Sequence, residues 1–207
     1  KHQYRKIDIS YELRLRSDSE YAEAFLAHFS RAVQCRLRVN GPAGAMLSGG
    51  VDSSSIVCVA QRLLDVMNSA PLRTFSATYA EAVDCPERPY ISAVLRDTHV
   101  HATILKSDQL EPYTSIFTQV VQNSDDPFGP ASLAVVTTMY FLAHQQKLRV
   151  LLDGVDGDLV ASLDDYYPMY LFRQGVVRTG LKELRGMSRI YESSLWRVVL
   201  DSCIWPI

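Results

Sequence analysis

The residues whose types and spacing could do chemistry are concentrated in the stretch SGGVDS, which begins at Ser48. Gly49 and Gly50 can adopt backbone conformations closed to other residues, so successive N–H groups can curve around an anion. The hydroxyls of Ser48 and Ser53 add donors. Asp52 would repel a phosphate unless a divalent cation such as Mg2+ lies between them. The stretch therefore predicts a site for a magnesium-bound nucleotide.

A plainer interpretation of the same stretch is a Gly-Gly turn followed by an Asp/Ser cap of a helix. The spacing and the lysine of a GxxxxGK[ST] phosphate loop are absent, and so is the GxGxxG pattern. Five specified residues in six positions, directly after the apolar run AML, are nevertheless rare by composition alone. The nucleotide site is favoured over a simple cap.

The elements that must position these residues follow from hydrophobic periodicity. Short apolar runs predict strands within residues 43–48, 72–79, 99–105 and 148–152. Helical spacing predicts helices over residues 18–37, 53–68, 87–98, 112–123 and 131–146. The first of these helices opens with a capping box, in which Ser17 and Glu20 satisfy each other's backbone N–H groups. The pattern after residue 163 is helical.

Strands that alternate with helices indicate parallel pairing with right-handed crossovers, and hence an α/β fold with a doubly wound parallel sheet. Ligands bind such sheets at the carboxyl ends of the strands. SGGVDS follows the first predicted strand, and a second acidic stretch, DGVDGD at residues 153–158, follows the last one. We expect one domain over residues 1–163 and the beginning of a helical extension over residues 164–207.

The composition of the chain argues against a nucleic-acid-binding protein and against a membrane-spanning protein. The 207 residues carry a net charge of -2 and are 47% hydrophobic, which gives no basic footprint for nucleic acid and no membrane-spanning run. The four cysteines form no CxxC pair, and we expect a reduced, cytoplasmic protein in which Cys58 is a small core residue. The polar start without Met and the apolar end suggest a piece of a longer protein.

The stretch LSGGVDSS resembles the pyrophosphate-binding loop of the N-type ATP pyrophosphatases. The segments RTFSATY, CPERPYISAVLRDTHVHATIL and LLDGVDGDLV narrow the resemblance to the synthetase domain of asparagine synthetases. The chain is most similar to the asparagine-synthase-related subfamily, some of whose members close lasso-peptide macrolactams. The resemblance implies a fold like that of the adenine nucleotide alpha hydrolases.

The resemblance also implies roles for individual residues. Leu47 and Ala77 would line the adenine and ribose pocket. The pyrophosphate would be held by Ser48, Gly49, Gly50, Asp52 and Ser53. Asp153 and Gly154 would lie next to the nucleotide. Asp52 and Asp158 would bind Mg2+ and act as the catalytic carboxylates.

The implied activity is that of an ATP-dependent, AMP-forming amide ligase. It would adenylate a small-molecule or peptide carboxylate for attack by ammonia or an amine. Asparagine synthetases have glutamates where this chain has Val155 and Leu159, which puts aspartate as the substrate in question. A glutaminase domain or subunit would act upstream if glutamine supplies the nitrogen.

The alternatives are a lasso-peptide macrolactam cyclase and a nucleotide-binding module that has lost catalysis. Neither the acceptor nor the oligomeric state follows from the sequence.

Overall fold

The computed structural model describes residues 13–79, 85–123, 132–157 and 166–204. The chain divides into two compact units, Lys1–Val155 and Asp156–Ile207. Within the described ranges, no helix combines the length and the apolar character that crossing a bilayer would require.

The first unit is built on a parallel sheet of four described strands in the order β3-β2-β1-β4. The strands are β1 (Gly44–Met46), β2 (Arg73–Thr78), β3 (His101–Lys106) and β4 (Leu151–Leu152). β1 is central, with Met46 opposite Phe75 of β2 and Ala45 opposite Leu152 of β4. Each predicted strand is present, and the doubly wound parallel sheet is confirmed.

Five α-helices are described in this unit. They are α1 (Asp18–Arg36), α2 (Val51–Val66), α3 (Arg88–Asp97), α4 (Thr114–Gln122) and α5 (Ser132–Gln145). A 3-10 turn at Glu111–Tyr113 leads into α4. All five were predicted, but α2 begins two residues earlier than expected, because Gly50 is extended (φ -67°, ψ 161°) and serves as its N-cap. Asp52 therefore lies in the first turn of α2.

The helices cover both faces of the sheet. Ala45 and Leu47 are buried in a core formed with α1, α2 and α3. On the opposite face, Met46 and Phe75 pack against Ala143 of α5. Side chains alternate between faces along a strand, so the short β1 contributes to both cores. This arrangement fixes the end of β1 between two packed layers.

The N-terminal half of α1 differs from the amphipathic helix that the sequence predicts. The Ser17 hydroxyl caps the helix by accepting from the N–H of Glu20 at 3.3 Å. The Glu20 carboxylate accepts instead from the N–H of Arg16, so only half of the predicted capping box forms. Phe25 and Leu26 recur at helical spacing with Phe29 and Val33, which predicts a shared buried face, but both are more than half exposed. The packed part of α1 is its C-terminal half, around the buried Val33.

Cys58 also departs from expectation, because its side chain is exposed rather than part of the core. The buried residues of α2 are Ser53, Val57, Ala60, Gln61 and Leu64. Buried Val57 precedes Cys58 directly, and the rotation of about 100° per residue carries position 58 out of the core. An apolar run around a helix does not by itself say which side faces the sheet.

The described part of the second unit is helical, as predicted for the end of the chain. Its described elements are α6 (Tyr167–Arg173), α7 (Val177–Ile190), α8 (Leu195–Val199) and a π-helical turn at Leu200–Ile204. α6 and α7 pack closely at Gly180, where a Cβ would lie 2.6 Å from the Phe172 ring. Leu184 and Gly180 are the buried residues of α7.

Candidate nucleotide site

The turn between β1 and α2 lies at the carboxyl end of the central strand. The Leu47 N–H donates to the Phe75 carbonyl oxygen at 2.8 Å, which extends the pairing of β1 with β2 by one residue. The chain then turns through Gly49, whose φ of +86° favours glycine. The first helical bond of α2 joins the Ser54 N–H to the Gly50 carbonyl at 3.0 Å. The N–H groups of residues 51–53 precede that bond, so they form the donor end of the helix.

Two hydroxyls hold this turn together. The Ser53 Oγ lies 2.9 Å from the Ser48 Oγ and accepts from the Ser48 N–H at 3.1 Å. It also donates to the Gly50 carbonyl oxygen at 3.3 Å. The Ser48 Oγ accepts from the Gly50 N–H at 3.4 Å. Ser53 is buried and Ser48 is exposed, so Ser53 shapes the turn while Ser48 presents a hydroxyl outward.

The N-terminal end of α3 packs directly against Gly49. A Cβ at this position would lie 3.0 Å from the Glu87 carbonyl oxygen and 3.2 Å from the Ile91 nitrogen. Gly50 has no such neighbour, since the nearest atom is the Ser48 Oγ at 3.5 Å. The first glycine is therefore required by both conformation and packing, and the second leaves the loop open on its outer side.

Gly154 closes the other side of the turn. A Cβ on this residue would lie 2.8 Å from the Ser53 nitrogen and 3.2 Å from the Asp52 Cβ. The preceding residue, Asp153, is exposed, and its Oδ1 accepts from the Val155 N–H at 3.0 Å. The two stretches singled out in the sequence thus meet at the donor end of α2.

The structure separates two residues that were expected to share one pocket. Leu47 is 1% exposed and lies in the core on the α1–α2 face. The pairing of Met46 with Phe75 places Ala77 on the opposite face, with Met46. Met46 lies on the same face as Ala77, and this face cannot be read from the sequence because it follows from the strand register.

Asp52 is the acidic residue in the first turn of α2, and it is half-buried. Asp158, its predicted partner, lies outside the described residues. No three His, Cys, Asp or Glu side chains cluster as a metal cage within the described ranges. Mg2+ needs only one or two carboxylates when phosphate oxygens and water complete its shell, so the oxygen donors at this turn suit it.

A buried thiol lies near the same end of the sheet. Cys85 precedes α3, and its pKa is lowered chiefly by a hydrogen bond from the backbone of Tyr79. Burial opposes this effect, the backbones of Arg88 and Glu87 lower the pKa further, and the Glu87 carboxylate raises it. The guanidinium of Arg88 donates to the Tyr79 carbonyl oxygen at 2.8 Å. These contacts tie the end of β2 to the beginning of α3.

Comparison with known proteins shows the family of this chain. The family model described as asparagine synthase matches residues 24–196. The chain belongs to the asparagine synthase family. The resemblance inferred from SGGVDS and the segments after it is therefore confirmed at the level of the family.

A protein of Methanocaldococcus jannaschii, inferred to be a glutamine-hydrolyzing asparagine synthetase, is 30% identical over 174 residues. The alignment covers 77% of this chain and 32% of that relative, so the chain spans about a third of its length.

Two solved structures show a more distant likeness. The NH3-dependent NAD synthetase of Campylobacter jejuni has a TM-score of 0.42 at 12% identity, with 70% of this chain and 60% of that one covered. The U34-tRNA thiolase NcsA of Methanococcus maripaludis has a TM-score of 0.45 at 18% identity, with 76% and 53% covered.

Proposed function

We propose that this protein is an ATP-dependent, AMP-forming amide ligase of the asparagine-synthetase type. One observation carries the proposal: the Gly49 turn leads from the central strand into the donor end of α2, and Gly154 closes over that end beside Asp52. Membership of the asparagine synthase family supports it. Gly154 packs against the backbone of the turn, as a loop that adjoins bound nucleotide would.

The proposed reaction has two steps. An oxygen of the substrate carboxylate attacks the α-phosphorus of ATP, the bond to the β-phosphate oxygen breaks, and pyrophosphate leaves. The nitrogen of ammonia or an amine then attacks the acyl carbon, loses a proton, and displaces AMP. Negative charge accumulates on the departing pyrophosphate, so donors already in place there lower the barrier.

The residues of the turn have separate tasks in this scheme. The N–H groups of residues 51–53 and the outward Ser48 hydroxyl would bind the pyrophosphate, and Ser53 would hold the turn in shape. Asp52, together with Asp158, would hold Mg2+, which supplies positive charge to the phosphates. Met46 and Ala77 share a face at the end of the sheet and would contact adenine and ribose there. Leu47 would support them from the core.

The acceptor and the nitrogen source are part of the proposal. A small-molecule carboxylate such as aspartate, with nitrogen from an upstream glutaminase domain or subunit, is the first candidate. The second is a peptide carboxylate closed into a macrolactam. A cytoplasmic location suits either, because both consume ATP.

Val155 favours the alternative function, a nucleotide-binding module without catalysis. It is 73% exposed next to Gly154, at a position where asparagine synthetases carry glutamate. If that carboxylate is essential to adenylation, the protein binds nucleotide without turning it over. Release of AMP separates the two functions, since only the ligase produces it.

Replacing Asp52 with Asn tests the ligase. ATP–pyrophosphate exchange is measured with ATP, Mg2+ and either aspartate or a candidate peptide. We expect the wild-type protein to catalyse exchange. The exchange rate of the variant should be at least about a hundredfold lower, as when a group that stabilises transition-state charge is removed. Asp97→Asn, an exposed carboxylate at the far end of α3, is the control and should retain activity. Equal exchange in Asp52→Asn and wild type would refute the metal role.

A further inference from the structure

Helix α7 carries a row of cations along one side. Arg178, Lys182, Arg185 and Arg189 recur at spacings of four, three and four residues, and all four are exposed. At about 100° per residue they lie within an arc of about 60° and extend for about 16 Å along the helix. We call these four residues the basic row.

The basic row is unneutralised by the described structure. None of the four side chains forms an ion pair with another described residue. Glu183 is the acidic residue within α7, and it projects more than about 90° away from the row. Helix α7 contains four basic side chains and one acidic side chain, a net of +3, whereas the whole chain carries -2. Positive charge is thus concentrated on this helix.

The side of α7 that carries Gly180 and Leu184 is packed. Leu184 and Gly180 are buried, and Gly180 packs on the Phe172 ring of α6. A basic amphipathic helix that binds a membrane must insert its apolar side into the lipid. The exposed apolar residues of α7, Val177, Leu181 and Ile190, are split between opposite sides of the helix, which disfavours insertion into a lipid surface.

Nucleic acid is disfavoured by the charge of the whole molecule. A protein that binds a long polyanion normally carries an excess of positive charge over an entire domain. Here the acidic balance of the rest of the chain would repel a polyanion beyond the row itself. A short acidic segment needs only local complementarity.

We propose that the basic row of α7 is a docking surface for an acidic segment of a protein partner. Neighbouring cations are about 4.5 to 6 Å apart along the helix axis. Carboxylates on alternate residues of an extended segment are about 6.6 Å apart, so several can face the row at once. Three of the four cations are arginines, whose planar guanidinium can bind a carboxylate through two hydrogen bonds. The basic row belongs to the second unit, whereas the described residues of the candidate nucleotide site belong to the first unit.

The test measures binding of a fluorescein-labelled peptide of about twelve residues with alternating Glu and Ser, by fluorescence anisotropy at low salt. We expect saturable binding that weakens as salt is added. The double variant Lys182→Glu/Arg185→Glu should bind at least about tenfold more weakly, since two attractive pairs become repulsive. Lys182→Arg keeps the charge and should bind like wild type.

The matched control is Arg31→Glu/Arg62→Glu, which changes net charge equally at exposed positions of α1 and α2. It should bind within about twofold of wild type, because neither position belongs to the basic row. Equal loss in both double variants would show a net-charge effect and overturn the proposal. So would the absence of peptide binding. Tighter, row-dependent binding of a single-stranded RNA oligonucleotide or of phosphatidylserine vesicles would also overturn it. Circular dichroism confirms that each variant is folded.

Discussion

Gly154 shows how much of the candidate site depends on the absence of a side chain. Its neighbours are the backbone nitrogen of Ser53 and the backbone and Cβ of Asp52. Backbone atoms at a helix terminus cannot rotate away as a flexible side chain can. Any Cβ at this position must therefore push the β4 loop away from α2 or distort the first turn of the helix.

We expect Gly154→Ala to lower the free energy of unfolding by about 1–3 kcal/mol, the usual effect of overpacking. It should also weaken ATP binding, because the Ser53 N–H is obstructed. Equilibrium denaturation and nucleotide titration measure the two effects. Gly186→Ala, which has open space around its Cβ, is the control and should be neutral or stabilising. Unchanged nucleotide affinity in Gly154→Ala would remove this residue from the site.

The position of the turn was easier to predict than the direction of individual side chains. SGGVDS identified the turn because glycine and aspartate at those positions have few other uses. The faces of Met46 and Leu47 depend on the pairing of β1 with β2, which the run AML does not contain. The exposure of Cys58 depends likewise on how α2 is rotated over the sheet. Such orientations are set by tertiary packing.

The N-terminal ends of two helices, α2 and α3, meet at the Gly49–Gly50 pair. α2 begins immediately after Gly50, and the residues that begin α3 lie against Gly49. The turn at Gly49 is therefore supported from outside by a second helix terminus. This support is long-range, and the predicted boundaries of the two helices did not reveal it.

The two adjacent glycines should respond differently to alanine. We expect Gly49→Ala to lower the free energy of unfolding by about 2 kcal/mol or more. A positive φ alone costs about 1–2 kcal/mol, and the added Cβ also crowds α3. Gly50→Ala retains an accessible φ of -67° and should lower the free energy of unfolding by less than about 1 kcal/mol. Chemical denaturation of both variants gives the comparison. Similar losses at both positions would contradict the distinction drawn from their surroundings.

Most helices and strands could be predicted because apolar residues recur in the sequence with the period of the element whose buried side they form. The strands and helices of the first unit lie where apolar spacing placed them, within a few residues. The main differences are at boundaries. α2 starts early because an extended glycine can act as an N-cap, and β4 contains only two residues because the short β1 offers it few partners.

For the whole molecule, a ligand that binds only the folded state adds to its stability. At a nucleotide concentration of a hundred times Kd, the gain is about 2.7 kcal/mol. We expect ATP with Mg2+ to raise Tm, and ATP with EDTA to raise it less, because the carboxylate of Asp52 then faces the phosphates without a cation. Differential scanning fluorimetry measures both shifts.

Asp52→Asn serves as the comparison in that experiment. It should lose the part of the shift that depends on magnesium, because an amide neither repels the phosphates nor binds the cation strongly. Asp97→Asn should keep that part. If Mg2+ changed the shift equally in Asp52→Asn and wild type, the cation would be bound elsewhere.

The pairing of β1 with β4 determines when the two halves of the turn can come together during folding. Gly44 pairs with Arg73, 29 positions along the chain, but also with Leu151, 107 positions along. Contacts between distant segments form late, because closing a long loop is entropically costly. The glycine-rich bend can be shaped early by its own neighbourhood, whereas Gly154 arrives only with the final strand. We therefore expect competence to hold a nucleotide to come late on the folding pathway, together with completion of the sheet.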